Sequence, residues 1–315
     1  MTPAARPSLA LCINTRNRPD GLARLLESVA PQAAAQPSCR IIVVNDGSHD
    51  ARYAEVLRRH GAMVDYHPIS PRVGIPAARN IAASHAEADF LVFIDDDCVA
   101  PAFWLDWLMA LIETEPELDV IAGVTRPLLP ETPGFFARVQ QAFGLYPNPE
   151  KRLGGLRFVT ANLAIRRSLF TALGGFRSYP GGPASGSDTD LSDRVCRTAC
   201  ARRLDPDWYV FHDVGEAVPA CMARYWRYGY ADMWLGRFAR PAGESAPTGP
   251  AASSRIGDMR RLLKANRNRA RSVFPTGAQQ LRAALLATLI QLAYLEGRRA
   301  GARARPPAPS AKTAC

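Results

Sequence analysis

Phe90-Leu91-Val92-Phe93-Ile94-Asp95-Asp96-Asp97 is the stretch on which the fold of this chain turns. Five large apolar residues in a row, bounded by polar ones, read as a fully buried strand, central in a parallel sheet. Carboxylates crowded at the C-terminal end of such a strand repel one another, so a buried cluster calls for a compensating cation. Open α/β folds bind their ligands at this same edge. A hard divalent ion together with a phosphate-bearing molecule suits the oxygen-rich cluster. For three aspartates taken alone, a solvated acidic loop is the competing reading.

Outward from this run, strand and helix alternate over the first hundred residues. Leu9-Ala10-Leu11-Cys12-Ile13 reads as a short strand, followed by the polar loop Asn14 to Pro19. A helix from near Asp20 carries Leu22, Leu25, Leu26 and Val29 at helical spacing. Ile41-Ile42-Val43-Val44 is the next strand and ends in Asn45-Asp46-Gly47-Ser48. Asp50 caps a helix that Gly61 stops, Met63 to His67 is a weaker strand, and Ile75 to His85 is an Ala-rich helix. Such alternation implies parallel βαβ units with right-handed crossovers. Beyond Pro101 a helix bears Trp104, Leu105, Leu108 and Leu111. Val120 to Val124 and Phe158 to Ile165 read as strands, and a helix begins near Asp190. Residues 126–157, rich in Pro, Gly and aromatics, read as a loop insertion bordering a substrate, and 241–254 as a linker.

Composition narrows the class. The 315 residues, 47% hydrophobic and 22% charged, can bury a sizeable core, which argues against disorder. The net charge of +10 is concentrated at one end: 13 Lys/Arg face only Asp258 and Glu296 from Arg255 onward, leaving 26 basic and 27 acidic side chains elsewhere. The seven scattered cysteines suit a reducing, cytoplasmic compartment, and Cys196 with Cys200 reads as packing rather than a metal pair. Neither a secretory signal nor an apolar run long enough to span a bilayer is visible. In the tail, Leu281, Leu285, Leu286, Leu289, Ile290, Leu292 and Leu295 form a broad apolar helix surface with arginines around it. This suits an anionic membrane surface met peripherally, a partner helix, or packing on the body with basic ends in solvent. Nucleic acid is not expected, because aromatic interleaving and a base-reading motif are missing.

Polar residues at the other strand ends complete the pattern. Asp46 projects into the same crevice as the triple aspartate, where a carboxylate can accept hydrogen bonds from a ribose or base, although Asp-Gly after a strand can also be only a turn. Arg72, Gly74, Arg79 and Asn80 follow; an arginine facing a phosphate site supplies a fixed fork of donors, while a surface arginine is the plain alternative. Taken singly, Asp188-Thr189-Asp190 is a helix N-terminus, Asn162 a cap or turn, and His212 a core histidine.

Together and in order, these segments resemble the family 2 glycosyltransferases, the inverting class with the GT-A fold. The resemblance rests on Asn45-Asp46-Gly47-Ser48, Arg72 to Asn80, Phe93-Ile94-Asp95-Asp96-Asp97, Ala161 to Arg167 with Gly174-Gly175-Phe176, Asp188-Thr189-Asp190-Leu191 and His212. Six ordered motifs are a specific signal where one would be weak. The resemblance implies an α/β, mostly parallel sheet with flanking helices and a domain over 1–240 (nucleotide part about 1–100, acceptor part about 101–240); the tail reads separately as a basic helical extension over 255–315. It implies transfer of a sugar from a UDP-, GDP- or dTDP-sugar with Mg²⁺ or Mn²⁺. Thr15, Arg18 and Asp46 would hold the nucleoside, Arg79 the acidic cluster and diphosphate, and Asp95 and Asp96 the donor. Asp97 and His212 would hold the metal. Asp188 would be the general base, and Asn162 and Asp190 would lie on the acceptor side, with Asp190 second in rank as base. Ser187 stands where the family commonly has Glu. Two other readings remain: a nucleotidyltransferase, although Thr15 to Pro19 lacks the glycines of its loop, and a catalytically idle nucleotide-sugar-binding or membrane-recruiting protein.

Overall fold

A computed structural model of the chain describes residues 6–152, 155–179, 181–215, 217–239 and 254–305. The expected linker over 241–254 therefore lies outside the described residues, apart from Ser254. The chain folds into two compact units. The first holds Met1–Leu128, Pro147–Arg177 and Ser187–Asp213; the second holds Leu129–Tyr146, Ser178–Gly186 and Val214–Cys315.

The first unit begins with the expected alternation: β1 (Leu9–Thr15), α1 (Pro19–Ala34), β2 (Cys39–Asp46), α2 (Arg52–His60), β3 (Val64–Ile69), α3 (Ile75–Ser84) and β4 (Phe90–Phe93). β1 pairs in parallel with both β2 and β4, and β2 with β3. Their apolar residues are buried on both faces because α1 covers one side of the sheet and α3 the other. That is why the strands read as continuous apolar runs.

Past β4 the sheet takes in antiparallel neighbours, while four of its seven pairings are parallel. It is mixed, with eight strands in the order β3-β2-β1-β4-β9-β6-β10-β5. Here β5 is Cys98–Val99, β6 Leu118–Leu128, β9 Leu163–Arg166 and β10 Ala201–Asp213, with α4 (Trp104–Thr114) between β5 and β6. β9 runs antiparallel to β4 and β6, since a short return from Phe158 to Asn162 brings the chain back along its neighbours. β5 pairs antiparallel with the far end of β10, placing Cys98 opposite His212. α6 (Arg167–Ala172) and α7 (Ser187–Cys196) complete the main elements of this unit.

The stretch 126–157 is more than a loop. It contains α5 (Phe135–Phe143) and the hairpin of β7 (Glu150–Arg152) with β8 (Gly155–Arg157). Phe135, Val139 and Phe143 recur every four residues, a helical period that the surrounding prolines obscure in the sequence.

The second unit is helical: α5, α8 (Val218–Phe238), α9 (Arg255–Arg271) and α10 (Gly277–Arg303). Ser254 caps α9 at 3.0 Å to Gly257 N, and Thr276 caps α10 at 3.3 Å to Gln279 N. Val139, Phe143, Cys221, Phe274, Ala284 and Ile290 form part of its core. α8 and α10 touch backbone to backbone: a Cβ on Gly229 would lie 1.9 Å from Tyr294 O, and one on Gly297 2.0 Å from Trp226 O. No helix of the described residues is long and apolar enough to cross a membrane.

Candidate active site

The C-terminal ends of β1, β2 and β4 deliver Thr15, Asp46 and the aspartate triplet to one edge of the sheet. β10 delivers His212, held beside Asp97 by the β5 pairing and by Asp213 N donating to Asp97 O at 2.9 Å. His212 Nε2 faces Asp97 Oδ1 at 3.4 Å. His212 Nδ1 lies 2.8 Å from Asp213 O, a contact in which Nδ1 donates and Nε2 is turned toward Asp97. Asp97 Oδ1 is buried and accepts no hydrogen bond. Ligand atoms of Asp97, Cys98 and His212 all lie within 4.8 Å of one another. An orphaned carboxylate oxygen and an imidazole nitrogen facing each other fit a divalent cation. Carboxylate oxygen and imidazole nitrogen are donors that admit Mg²⁺ and Mn²⁺.

The three aspartates differ in environment. Burial works to raise Asp97, but the facing His212 and Arg18 outweigh it and hold its carboxyl below the ordinary range. Arg18 Nη1 donates to Asp97 Oδ2. Asp96 is pushed up to about 7 by burial and by the adjacent Asp97, against a hydrogen bond from Thr15. Asp95 accepts from Arg79 Nη2 at 2.7 Å. Arg79 is itself buried, its guanidinium over the Phe176 ring at 5.6 Å.

Around this cluster the motif residues are bound into a frame. Asp46 accepts from Val73 N at 2.7 Å and Gly74 N at 3.0 Å, fixing the loop before α3. Thr15 Oγ1 lies 2.9 Å from Tyr53 OH, which also accepts from Arg18 N at 2.9 Å. Asn80 clamps Phe176 from both sides, donating to its carbonyl and accepting from its amide, each at 2.8 Å. Gly175 takes φ 64°, and a Cβ there would meet Asn80 Oδ1 at 2.7 Å. Both facts account for a glycine at that position.

Asp188 opens α7, accepts from Thr189 N at 2.8 Å, and lies within electrostatic reach of Arg79 and Asp95. Its carboxyl is raised above the ordinary range by burial, with Arg79 and the Thr189 amide opposing. Asp190, one turn from Arg194, is differently engaged: Asp190 Oδ2 accepts from Arg194 Nε at 3.0 Å and Nη2 at 2.7 Å. Arg194 continues to Leu173 O and Gly175 O, both at 2.8 Å. Asn162 is fully buried. Its Oδ1 accepts from Trp104 Nε1 at 3.0 Å, and its Nδ2 donates to Trp208 O at 3.0 Å and Val124 O at 3.3 Å.

Thus Arg18, Arg79, Asp95, Asp96, Asp97, Asp188 and His212 are linked by contacts or electrostatics, whereas Asn162 and Asp190 are bonded into the framework. Sequence reasoning passed over Cys98 and Tyr53. A two-residue strand and a tyrosine 38 positions from Thr15 carry no periodic signal; only the place of Cys98 directly after the triplet hinted at it.

A mixed α/β sheet with an acidic cluster at the ends of its parallel strands defines a GT-A-like glycosyltransferase fold. The profile described as Glycosyl transferase family 2 matches residues 10–174, which is 165 of the 315 residues, and the chain belongs to that family. The succinoglycan biosynthesis protein ExoM of Rhizobium meliloti (strain 1021) is 29% identical over 207 residues, 64% of this chain and 65% of that protein. A pre-mycofactocin glycosyltransferase of Mycobacterium tuberculosis is 29% identical over 240 residues, 72% of this chain and 48% of that protein. The chain thus spans about half to two thirds of the length of these relatives. In fold it is similar to the mannosyltransferase PcManGT from Pyrobaculum calidifontis, solved in complex with GDP-Man and Mn²⁺. The TM-score is 0.58 at 17% identity, over 92% of this chain and 87% of that one.

Proposed function

We propose that the chain transfers a sugar from a nucleotide-diphosphate sugar to an acceptor hydroxyl with inversion at the anomeric carbon. The observation that carries this reading is the gathering of Asp97, His212 and the Arg79–Asp95 pair on the sheet edge with Asp188, a carboxyl of raised proton affinity. Asp188 takes the proton from the acceptor hydroxyl as its oxygen bonds to the anomeric carbon. The bond from that carbon to the diphosphate oxygen breaks on the opposite face, and its electron pair leaves with the nucleoside diphosphate. A general base is most effective when its proton affinity lies near the working pH, so the upward displacement of Asp188 serves that role.

Asp97 and His212 would hold a divalent cation, Mg²⁺ or Mn²⁺, which when bound neutralises charge developing on the leaving diphosphate. Arg18 and Arg79 bring fixed positive charge to the same group, and Asp46 and Thr15 order the loops that take the nucleoside. Asn162 and Asp190 act as positioning residues, the first through Trp104, Val124 and Trp208 and the second through Arg194. The Mn²⁺ and GDP-Man of the Pyrobaculum structure support the donor class. UDP-, GDP- and dTDP-sugars are the candidates. Hydrolysis of each, with Mn²⁺ or with EDTA, tests the reading. Turnover of one donor that stops in EDTA, with an inverted anomer in the first-formed transfer product by NMR, is the expected result; retained anomeric configuration would overturn the mechanism.

A further inference from the structure

The strongest unassigned feature lies on the second unit. A groove of about 440 Å³ is lined by Phe135 and Phe136 of α5, Val218 at the start of α8, and Leu281, Leu285 and Leu289 of α10. The three leucines stand one helical turn apart and are 45%, 44% and 47% exposed. Isolated exposed leucines are ordinary, but an aligned row beside two phenylalanines is a contiguous apolar surface of the kind that marks a contact.

The charge on the helices of this unit indicates the contact. α9 and α10 carry eleven Lys/Arg against Asp258 and Glu296. Those two acids are engaged with Arg261, Arg299 and Arg255. Arg260, Lys264, Arg267, Arg269, Arg271 and Arg282 meet no carboxylate among the described residues. The positive charge reaches the groove itself. Arg282 lies over the Phe135 ring at 4.7 Å, and Arg138 over Phe274 at 5.3 Å, with Phe274 only 5.4 Å from Phe135.

We propose that this face docks on an anionic lipid bilayer, with Leu281, Leu285 and Leu289 entering the interfacial region and the arginines of α9 and Arg282 resting on lipid phosphates. Apolar burial and phosphate pairing act together in such interfacial binding. A second copy of the chain is a poorer occupant, because it would bring an equally basic face against this one. The docking does not depend on the reaction proposed above, and α5 belongs to it although the sequence assigned that segment to a substrate loop.

The test uses the full chain and sedimentation with vesicles of phosphatidylcholine alone or mixed equally with phosphatidylglycerol. The chain should pellet with the mixed vesicles at low salt and release as salt rises. A variant with Leu281→Ser, Leu285→Ser and Leu289→Ser should lose about tenfold or more in partition coefficient. Arg267→Gln, Arg271→Gln and Arg282→Gln should each cost up to about fivefold and together flatten the salt dependence. Donor hydrolysis without vesicles should be the same in all of them, which separates this inference from the catalytic one. Should the triple leucine variant misfold, Leu285→Cys carrying an environment-sensitive fluorophore gives a second readout, a blue shift on mixed vesicles. Equal pelleting of wild type and leucine variant, indifference to phosphatidylglycerol, or self-association without vesicle binding would each overturn the proposal.

Discussion

Gly123 sits where three strands meet, and adding one methyl there should be among the most damaging single changes outside the site. A Cβ at Gly123 would lie 2.0 Å from Asn162 Nδ2 and 2.4 Å from Trp208 O, where ordinary contact begins at 3.4 Å. Asn162 would have to retreat by the difference, 1.4 Å, which breaks its bonds to Trp104, Val124 and Trp208. Overpacking costs about 1–3 kcal/mol, and stranding buried partners of the amide adds roughly 2 kcal/mol. The entropy gained on replacing glycine is smaller, about 0.4–1 kcal/mol. Gly123→Ala should therefore destabilise the fold by about 3–4 kcal/mol. Asn162→Ala alone removes the same bonds and should cost about 2–4 kcal/mol. In the double variant the clash with the amide is gone while that with Trp208 O remains, so the combined loss should fall short of the sum by about 1–2 kcal/mol. Urea unfolding followed by tryptophan fluorescence is suited to the measurement, because Trp104 and Trp208 stack at 5.6 Å in this cluster. Additive losses would refute the proposed clash.

Further expectations concern the site. Asp188→Asn should lower transfer by roughly 10²–10⁴-fold with donor affinity retained, measured by steady-state kinetics and donor titration. The folded value of Asp188 is raised, so its ionised form is a stability cost that is absent in acid and grows as pH rises through that value. The Asn variant should accordingly melt higher than wild type at neutral pH, with the gap closing in acid. The acid limb of wild-type transfer should fall at a pH above that of an ordinary carboxylate. Asp97→Ala should abolish Mn²⁺-stimulated donor hydrolysis and leave far-UV circular dichroism intact; activity unaffected by EDTA in wild type would remove the metal from the mechanism. Arg194→Met removes the bidentate donor to Asp190 and the bonds to Leu173 O and Gly175 O, and should lower stability by denaturation, whereas Asp190→Asn should leave more transfer than Asp188→Asn.

What the sequence displayed best was whatever its own periodicity encodes. β1, β2 and β4 are buried on both faces, and their unbroken apolar runs announced them along with the acidic residues at their ends. β9 and β5 were illegible as neighbours: pairing sense and partner depend on where the chain returns, and β5 has only two residues. The resemblance ranked Asp188 ahead of Asp190, but the different bonding of the two was hidden for a related reason. Two carboxylates in one first turn look alike until Arg194 is seen closing on the second. Asn162 is similar, since an amide that ties α4, β6 and β10 together has the same letter as one that waits for a ligand.

The two-way bond between Asn80 and Phe176 makes the aim of Arg79 a joint property of segments 96 residues apart. A change that merely loosens the turn at Phe176, such as Asn80→Ser, leaves the sheet and both units whole but lets the guanidinium wander from Asp95. Such a lesion would surface as poor capture of substrate by a protein that accumulates to normal levels, so a screen scoring abundance would pass it and only one scoring substrate affinity would find it.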